Sequence, residues 1–444
     1  MTYFFETYGC QMNSAESAAL ELVLAERGWE KAAGPETTDL VLLNTCSVRG
    51  TAEKRALGRL AHYGAKKKRP AGKPFTLIVA GCMASRLGEK LKEKFPAVDA
   101  VMGTDARSRF PLILEAAERG EKADFSGDET PAFSFSASHL ESGAFRSFVP
   151  IMHGCNNYCS YCVVPLVRGR EISRSSYSIK AELALLAEKG VREITLLGQN
   201  VNSYRFESTA FPGLLRLTAR AVEGTSIEWV RFLSANPGDL SEESIGVMAE
   251  NRCFCRHLHL PLQHGSNRVL GAMKRRYTAE SYLDLVEKLR RAMPDLSLSA
   301  DLMVGFPGET EAELAELFAL MEKVRFSYAY MYYYNPREGT AAWDMDGRIP
   351  ETVKKERLAR VIVLQRKHTL QLLQARVGKE DRVLVESVSR KNADELLGRT
   401  ERDEMAVFAG ERGLIGNFER VRLCSLNGIT FRAVRRPAAE PPAN

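Results

Sequence analysis

The sequence predicts an α/β protein in three parts: an N-terminal doubly wound parallel sheet, a central partial (β/α)6 barrel, and a C-terminal small antiparallel β barrel. Three observations predict it. Apolar β-rich runs alternate with stretches of helical period over residues 1–120, and again over 146–370. A Ser-, Gly-, Asp- and Thr-rich stretch without sustained period, residues 121–145, reads as a linker between them. Beyond a long helix rich in basic residues, 350–376, the segment 376–437 breaks into five short strands with Gly-containing turns.

In the first part, strands are expected at 2–8, 39–45, 75–80 and 98–102. Helices are expected at 13–27, capped by Asn13 or Ser14, and at 48–67, 85–94 and 107–119. The second part has strands at 148–152, 193–197, 229–233, 257–260, 297–304 and 328–333, with helices such as 179–189 and 279–292 between them. Six such units suggest an open partial barrel, since eight need more chain. The strands of the third part fall at 381–388, 396–400, 405–408, 418–423 and 430–434, and the tail 437–444 is expected to be disordered. Its 13 Lys/Arg against 10 Asp/Glu over 376–437 is a modest basic excess. This terminal barrel is expected to fold apart from the rest.

A chain of 444 residues with 45% hydrophobic and 27% charged residues is multidomain and globular. No apolar run approaches the roughly 18 residues of a membrane span, and residues 1–10 lack the pattern of a secretory signal. A cytoplasmic protein without membrane contact is expected. The net charge of +6 is mild and does not by itself indicate nucleic acid. Nine cysteines in such a chain point to metal or redox chemistry rather than a disulfide framework.

Cys155, Cys159 and Cys162 form a CxxxCxxC at the carboxyl end of the barrel's first strand, where β/α barrels carry their chemistry. Three thiolates so spaced can cap three irons of a 4Fe-4S cubane and leave the fourth open to chelate the amino and carboxylate groups of S-adenosylmethionine. The alternative is a zinc site with His153 as fourth ligand. Cys10, Cys46 and Cys82 are far apart in sequence, yet each falls at or just past the carboxyl end of a strand. In an open sheet those ends share one edge, with neighbouring strands about 4.8 Å apart, so three thiols can reach one cluster. Gly9 and Gly81 would let the backbone approach it. The alternative is three buried core cysteines. Cys253, Cys255 and Cys424 read as structural, although RCFCR has the look of a metal pair.

The blocks TYGCQMN, LNTCSVR, VAGCMA, HGCNNYCSYCVVPLVRGREISR, LLGQNVNSY, HLPLQHGSNRVLGAMKRRY and DLMVGFPGETEAE follow in order over nearly the whole chain. The chain resembles the methylthiotransferases of the radical-SAM superfamily, and within them the branch that modifies dimethylallyl-adenosine in tRNA. LLGRTERDEMAVF in the terminal barrel is similar to a TRAM domain. The sequence departs from the family at Glu16, where Asp is usual, at Leu166, where Tyr is common, and at His264, where Ser is common.

The resemblance implies that residues 1–120 carry an auxiliary 4Fe-4S cluster on Cys10, Cys46 and Cys82. It implies that 146–370 is a radical-SAM domain with a second cluster on Cys155, Cys159 and Cys162, and that 376–437 binds RNA. Two S-adenosylmethionine molecules per turnover are implied. One methylates a cluster-bound sulfur, and the other yields the 5′-deoxyadenosyl radical that takes a hydrogen from carbon 2 of N(6)-dimethylallyladenosine at tRNA position 37. A methylthiotransferase acting on threonylcarbamoyl-adenosine or a ribosomal protein is the alternative, and a non-catalytic iron–sulfur carrier is a third reading. The partners implied are tRNA and an electron donor such as flavodoxin or ferredoxin, with the enzyme a monomer.

No catalytic residue is assigned beyond the cluster cysteines. For the cofactor pocket, Tyr161 is implied near the adenine, with packing as its alternative. Gln199 and Asn200 end the second strand and offer amides to cofactor or substrate, or form a polar turn. Ser234 and Asn236 end the third strand, Gln263 the fourth, and Asp301 opens the DLMVGFPGE block. Arg174 is assigned to the cofactor carboxylate, while Arg168 and Arg170 stay open between cofactor and RNA backbone. The tyrosines from Tyr328 to Tyr334 read as core alternating between lumen and helix layer, or as a base-stacking face.

Overall fold

The computed structural model describes residues 1–48, 50–67, 74–104, 106–119, 121, 123–125 and 143–436. Most of the 121–145 linker and the tail 437–444 lie outside them.

The N-terminal part follows the expected alternation: β1 (Thr2–Thr7), α1 (Gln11–Glu26), β2 (Leu40–Thr45), α2 (Gly50–Lys67), β3 (Thr76–Gly81), α3 (Cys82–Leu87), α4 (Glu89–Lys94), β4 (Ala100–Met102) and α5 (Phe110–Glu118). The four strands pair in parallel in chain order, with Glu30–Lys31 added beside β1 and Ala123–Phe125 beside β4. Alternate residues of β2 and β3 explain the double winding. Leu40, Leu42, Ile78 and Ala80 pack under α1 and α5, while Val41, Leu43, Leu77 and Val79 pack under α2 and α3. Three expectations are corrected. Asn13 does not cap α1, because its amide is drawn to Asn44 and Thr45; the helix starts earlier, after Cys10. The 85–94 helix is two helices, starting at Cys82 and broken at Gly88, whose φ of 47° lies outside the helical region. The linker contains a strand, Ala123–Phe125, that extends the sheet.

The central part has six parallel strands: β5 (Arg146–Pro150), β6 (Glu193–Leu197), β7 (Trp229–Phe232), β8 (His257–His259), β9 (Ser297–Val304) and β10 (Tyr328–Tyr333). They pair as β5-β6-β7 and β8-β9-β10, joined by a single parallel bridge from Val230 to Phe254. Helix α6 (Val164–Arg168) follows the CxxxCxxC loop, and at least one helix follows each of β6, β7, β8 and β9. A long helix, α7 (Glu351–Gln374), packs on β10. Ala329, Met331 and Tyr333 turn to this helix layer. Tyr328, Tyr330 and Tyr332 turn to the lumen, and Tyr330 and Tyr332 remain 43% and 38% exposed there. The expected alternation is present, but the lumen half is a cavity wall rather than packed core.

The terminal part is a closed barrel of β11 (Glu380–Val388), β12 (Glu395–Thr400), β13 (Met405–Ala409), β14 (Phe418–Asn427) and β15 (Thr430–Arg435), ordered β11-β12-β13-β15-β14. All pairs are antiparallel except β13 with β15. Five strands cannot alternate in direction around a closed ring, so one parallel pair is unavoidable.

This barrel does not stand clear of the rest of the chain. It is docked on the amino-terminal ends of β5, β6 and β7. Trp229 and Cys255 pack against Leu384, and the Trp229 and Phe418 rings meet edge to face at 4.7 Å. Arg231, buried, donates to Glu193 Oε2 at 2.8 Å and to the carbonyls of Thr400 and Glu401, both at 2.9 Å. Glu386 receives both Arg146 and Arg399. A buried charge stripped of its partner costs about 3–5 kcal/mol. Arg231→Met, which leaves Glu193 with only Arg146 at 3.9 Å and removes both carbonyl anchors, is therefore expected to destabilise the chain by up to about that amount, read from urea unfolding. A variant as stable as the parent would show that the docking contributes little.

Candidate functional site

The three dispersed cysteines arrive at one place because the strands that carry them are in register. Thr7 pairs with Asn44, and Asn44 with Ala80, so Cys10, Cys46 and Cys82 leave the same edge of the sheet. A buried polar clamp holds the three chain exits together, with Thr45 Oγ1 donating to the Ala80 carbonyl at 2.6 Å. Asn13 Nδ2 donates to Asn44 Oδ1 at 3.0 Å and to the Thr45 carbonyl at 2.9 Å, and Asn44 Nδ2 donates to Ser17 Oγ at 3.0 Å. Gly9 and Gly81 are required. Their φ values are 135° and 89°, and a Cβ at Gly81 would stand 2.3 Å from Asn44 Oδ1. Burial pushes the Cys82 thiol up to about 12, against the opposing pull of Arg168.

The CxxxCxxC loop is fixed from two sides. Gly154 N donates to Gln199 Oε1 at 2.7 Å, and a Cβ on Gly154 would lie 2.0 Å from the Arg170 carbonyl, so only glycine fits before Cys155. Ser160 Oγ donates to the Ala272 carbonyl at 2.8 Å. Arg275 donates from Nη1 to Cys159 Sγ at 3.3 Å and from Nε to the Tyr277 hydroxyl at 2.8 Å. Arg275 was missed in the sequence. Its only signal is a place in the KRRY block, 116 residues from the sulfur it reaches.

All three dispersed cysteines and the last of the CxxxCxxC loop open into one cavity of about 1090 Å³, lined by Cys10, Cys46, Cys82 and Cys162. Short-range packing brings them together. Val163 and Val167 of the α6 segment sit directly on Cys82, and Met12 and Ala15 of α1 sit on Leu197 at the carboxyl end of β6. Two ion pairs cross the same boundary. Arg168 meets Glu16 with Nη1–Oε1 at 2.5 Å and Nη2–Oε2 at 3.3 Å, and Arg337 meets Glu53 at 3.4 Å. The far end of the cavity runs down the lumen past His257, His259 and Tyr328 to Arg399 and Asp403 of the terminal barrel.

Of the pocket residues read from the sequence, Tyr161, Gln199, Ser234, Gln263 and Asp301 line this cavity. Ser234 and Gln263 do so at φ of 66° and 72°, a strained conformation common at functional strand ends. Arg174 and Asn236 are elsewhere. The Arg174 guanidinium is buried against Glu182, Ser178 and the Pro150 carbonyl, which leaves it no reach to the cavity. Asn236 caps the turn that follows β7 through Gly238 N and touches Arg275 at 3.4 Å, supporting the site from behind. Asn200 is held by Asp239 at 2.9 Å. His264 is fully buried beside Glu309, so the departure there is structural. Arg170 and Leu166 are exposed. Cys255 packs under the terminal barrel, Cys253 is half-buried and Cys424 is exposed.

Among the described residues, no three His, Cys, Asp or Glu side chains gather as they would around a single metal ion. His153, the fourth ligand of a zinc site, instead turns Nδ1 to Arg107 Nη2 at 3.4 Å. Three thiols that share one cavity, each able to cap its own iron, are a donor set that fits a cubane.

Family descriptions match three stretches: "Uncharacterized protein family UPF0004" over 2–103, the Radical SAM superfamily over 149–321, and the TRAM domain over 374–424. A tRNA-2-methylthio-N(6)-dimethylallyladenosine synthase of Treponema pallidum is 49% identical over 451 residues, covering 98% of each chain. The chain belongs to the tRNA-2-methylthio-N(6)-dimethylallyladenosine synthase family. Members from Bacteroides fragilis and Moorella thermoacetica are 42% and 40% identical to it, over 97% and 95% of this chain and 94% and 95% of theirs. Among solved structures, the radical S-adenosylmethionine methyltransferase TsrM of Kitasatospora setae superposes with a TM-score of 0.60 at 14% identity over 77% of each chain. The cobalamin-dependent S-adenosylmethionine radical enzyme OxsB gives 0.53 at 11% identity, over 83% of this chain and 56% of its own. At these identities the likeness to this synthase-family chain is one of fold.

Because Arg174 is committed to Glu182, Arg174→Met is expected to lower the melting temperature and leave the KM for S-adenosylmethionine unchanged. A raised KM at unchanged stability would return Arg174 to the cofactor pocket.

Proposed function

We propose that this cavity is where a methylthio group is attached to carbon 2 of N(6)-dimethylallyladenosine at position 37 of tRNA. The observation that carries this reading is that Cys10, Cys46 and Cys82 share one cavity with Cys162 of the CxxxCxxC loop, with a single short helix between Cys162 and the wall of Cys82. The family name supplies the substrate class, tRNA, and the radical-SAM match over 149–321 supports an iron–sulfur cluster and S-adenosylmethionine as cofactors. The finer assignment is that Cys155, Cys159 and Cys162 hold one 4Fe-4S cluster, and Cys10, Cys46 and Cys82 a second. When bound, these groups and two S-adenosylmethionine molecules supply reductive sulfonium cleavage, a methyl group and the transferred sulfur.

The residues of the chain do the remaining work. Gln199 holds the backbone before Cys155, and Arg275 braces Cys159. Tyr161, Ser234, Gln263 and Asp301 supply phenol, hydroxyl, amide and carboxylate groups to the cofactor from the strand ends. The N-terminal domain covers the carboxyl end of the barrel and keeps bulk water from it. The terminal barrel exposes Arg390, Lys391, Arg412, Arg420 and Arg422, which suits contact with an RNA backbone. Reductive cleavage needs an electron, for which a flavodoxin- or ferredoxin-type donor is the partner, and the enzyme acts as a monomer.

Reconstituted protein is expected to hold about eight irons, and Cys155, Cys159 and Cys162 changed together to Ala about half of that. Changing Cys10, Cys46 and Cys82 to Ala is expected to spare cleavage of S-adenosylmethionine and abolish the methylthio product. Mass spectrometry of tRNA nucleosides, with and without this protein in the cell, tests the whole reading. Methylthio-nucleoside levels that do not depend on it would overturn the assignment.

A further inference from the structure

A buried charge cluster stands beside the N-terminal cysteines with no part in the reading so far. Glu16 lies on α1, which begins after Cys10, and Arg168 ends α6, which begins after Cys162. Arg107 enters from the loop after β4. The Glu16 carboxylate takes Arg168 at 2.5 and 3.3 Å and Arg107 at 2.7 Å. Glu16 and Arg168 are 1% and 2% exposed. Two guanidinium groups on one carboxylate leave the group with one positive charge in excess, away from solvent.

Such an excess is costly in a protein interior unless a negative partner completes it. The cavity supplies one. Arg168 lines it together with Cys10, Cys46 and Cys82, and acts electrostatically on Cys82 and Cys10. Resting on the reading that these cysteines hold a cubane, three thiolates outweigh by one the charge of an oxidised 4Fe-4S core. The signs and the count match.

We propose that the Glu16–Arg107–Arg168 group is the built-in counter-charge of the N-terminal cluster and sets its reduction potential, with Arg168 as the positioning residue that the radical-SAM domain contributes to it. Reduction adds one electron, and so one negative charge, to the cluster. A neighbouring positive charge favours that step and raises the potential, and a neighbouring negative charge lowers it. The two halves of the ion pair therefore act with opposite sign. A purely structural latch has no such signature, since breaking it from either side loosens the same contact.

The test is a potentiometric titration followed by electron paramagnetic resonance, on full-length reconstituted protein with iron content measured first. The signal of the N-terminal cluster is identified as the one that survives when Cys155, Cys159 and Cys162 are changed to Ala. Arg168→Gln is expected to shift its midpoint to more negative values by a factor of ten or more in the one-electron equilibrium, about 59 mV. Glu16→Gln is expected to shift it to more positive values. Arg168→Lys, which keeps the charge, is expected to stay near the parent value and guards against a Gln variant that folds poorly. The potential of the other cluster should hold in all three. Midpoints that move in the same direction for Arg168→Gln and Glu16→Gln, or that do not move while both clusters are present, overturn the counter-charge. Iron for one cluster only in the parent protein overturns the two-cluster reading, and the counter-charge with it.

Discussion

The architecture depends on the seating of one sheet edge upon one barrel end. Cys10, Cys46 and Cys82 come from the sheet and Cys162 from the barrel, and they meet at this seam. What joins them is the contact of Val163 and Val167 with Cys82, reinforced by the bidentate pair of Arg168 and Glu16. Both contacts come from the segment 163–168, the five-residue helix α6 with its cap, which starts where the CxxxCxxC loop ends. The same short segment thus closes one cysteine loop and forms the wall of the other. Its position is fixed by covalent continuity on one side and by close packing on the other, so the distance between the two sites has little freedom to vary.

Much of this was legible in the sequence because it is local. The alternation of Leu40 to Leu43 between the two sheet faces and the placing of each dispersed cysteine after a strand depend on residues a few positions apart. The strained glycines before Cys10 and Cys82 could be read for the same reason. What escaped was pairing across long separations. Arg168 meets a carboxylate 152 residues away and Arg275 a sulfur 116 residues away. Arg174 misled for a related reason. Its place after the cysteine loop suggested a cofactor contact, but Glu182, two turns along the following helix, is near enough to claim it. A guanidinium goes to the nearest carboxylate that burial leaves without water.

The docked terminal barrel was the other surprise, and it too is a matter of distant partners. Its sequence shows five strands and a basic excess, both properties of an independent module. It does not show that Arg231, on a strand of the central barrel, finds the Thr400 and Glu401 carbonyls for its remaining donors. Nor does it show that Tyr328 donates to Asp403 at 2.7 Å. Polar side chains that line the lumen need partners at its lower end, and the β12–β13 turn provides them.

A chamber with a roof and a floor has its doorway in the wall. The N-terminal domain covers the carboxyl end of the six-stranded sheet and the terminal barrel covers the amino end. The sheet itself is incomplete: β5 and β10, its first and last strands, do not pair. That gap is flanked by the partly exposed rings of Tyr330 and Tyr332. Those two rings are also part of the lining of the cavity that holds Cys10, Cys46, Cys82 and Cys162. A nucleobase that reacts inside such an enclosed cavity has to leave its stack first.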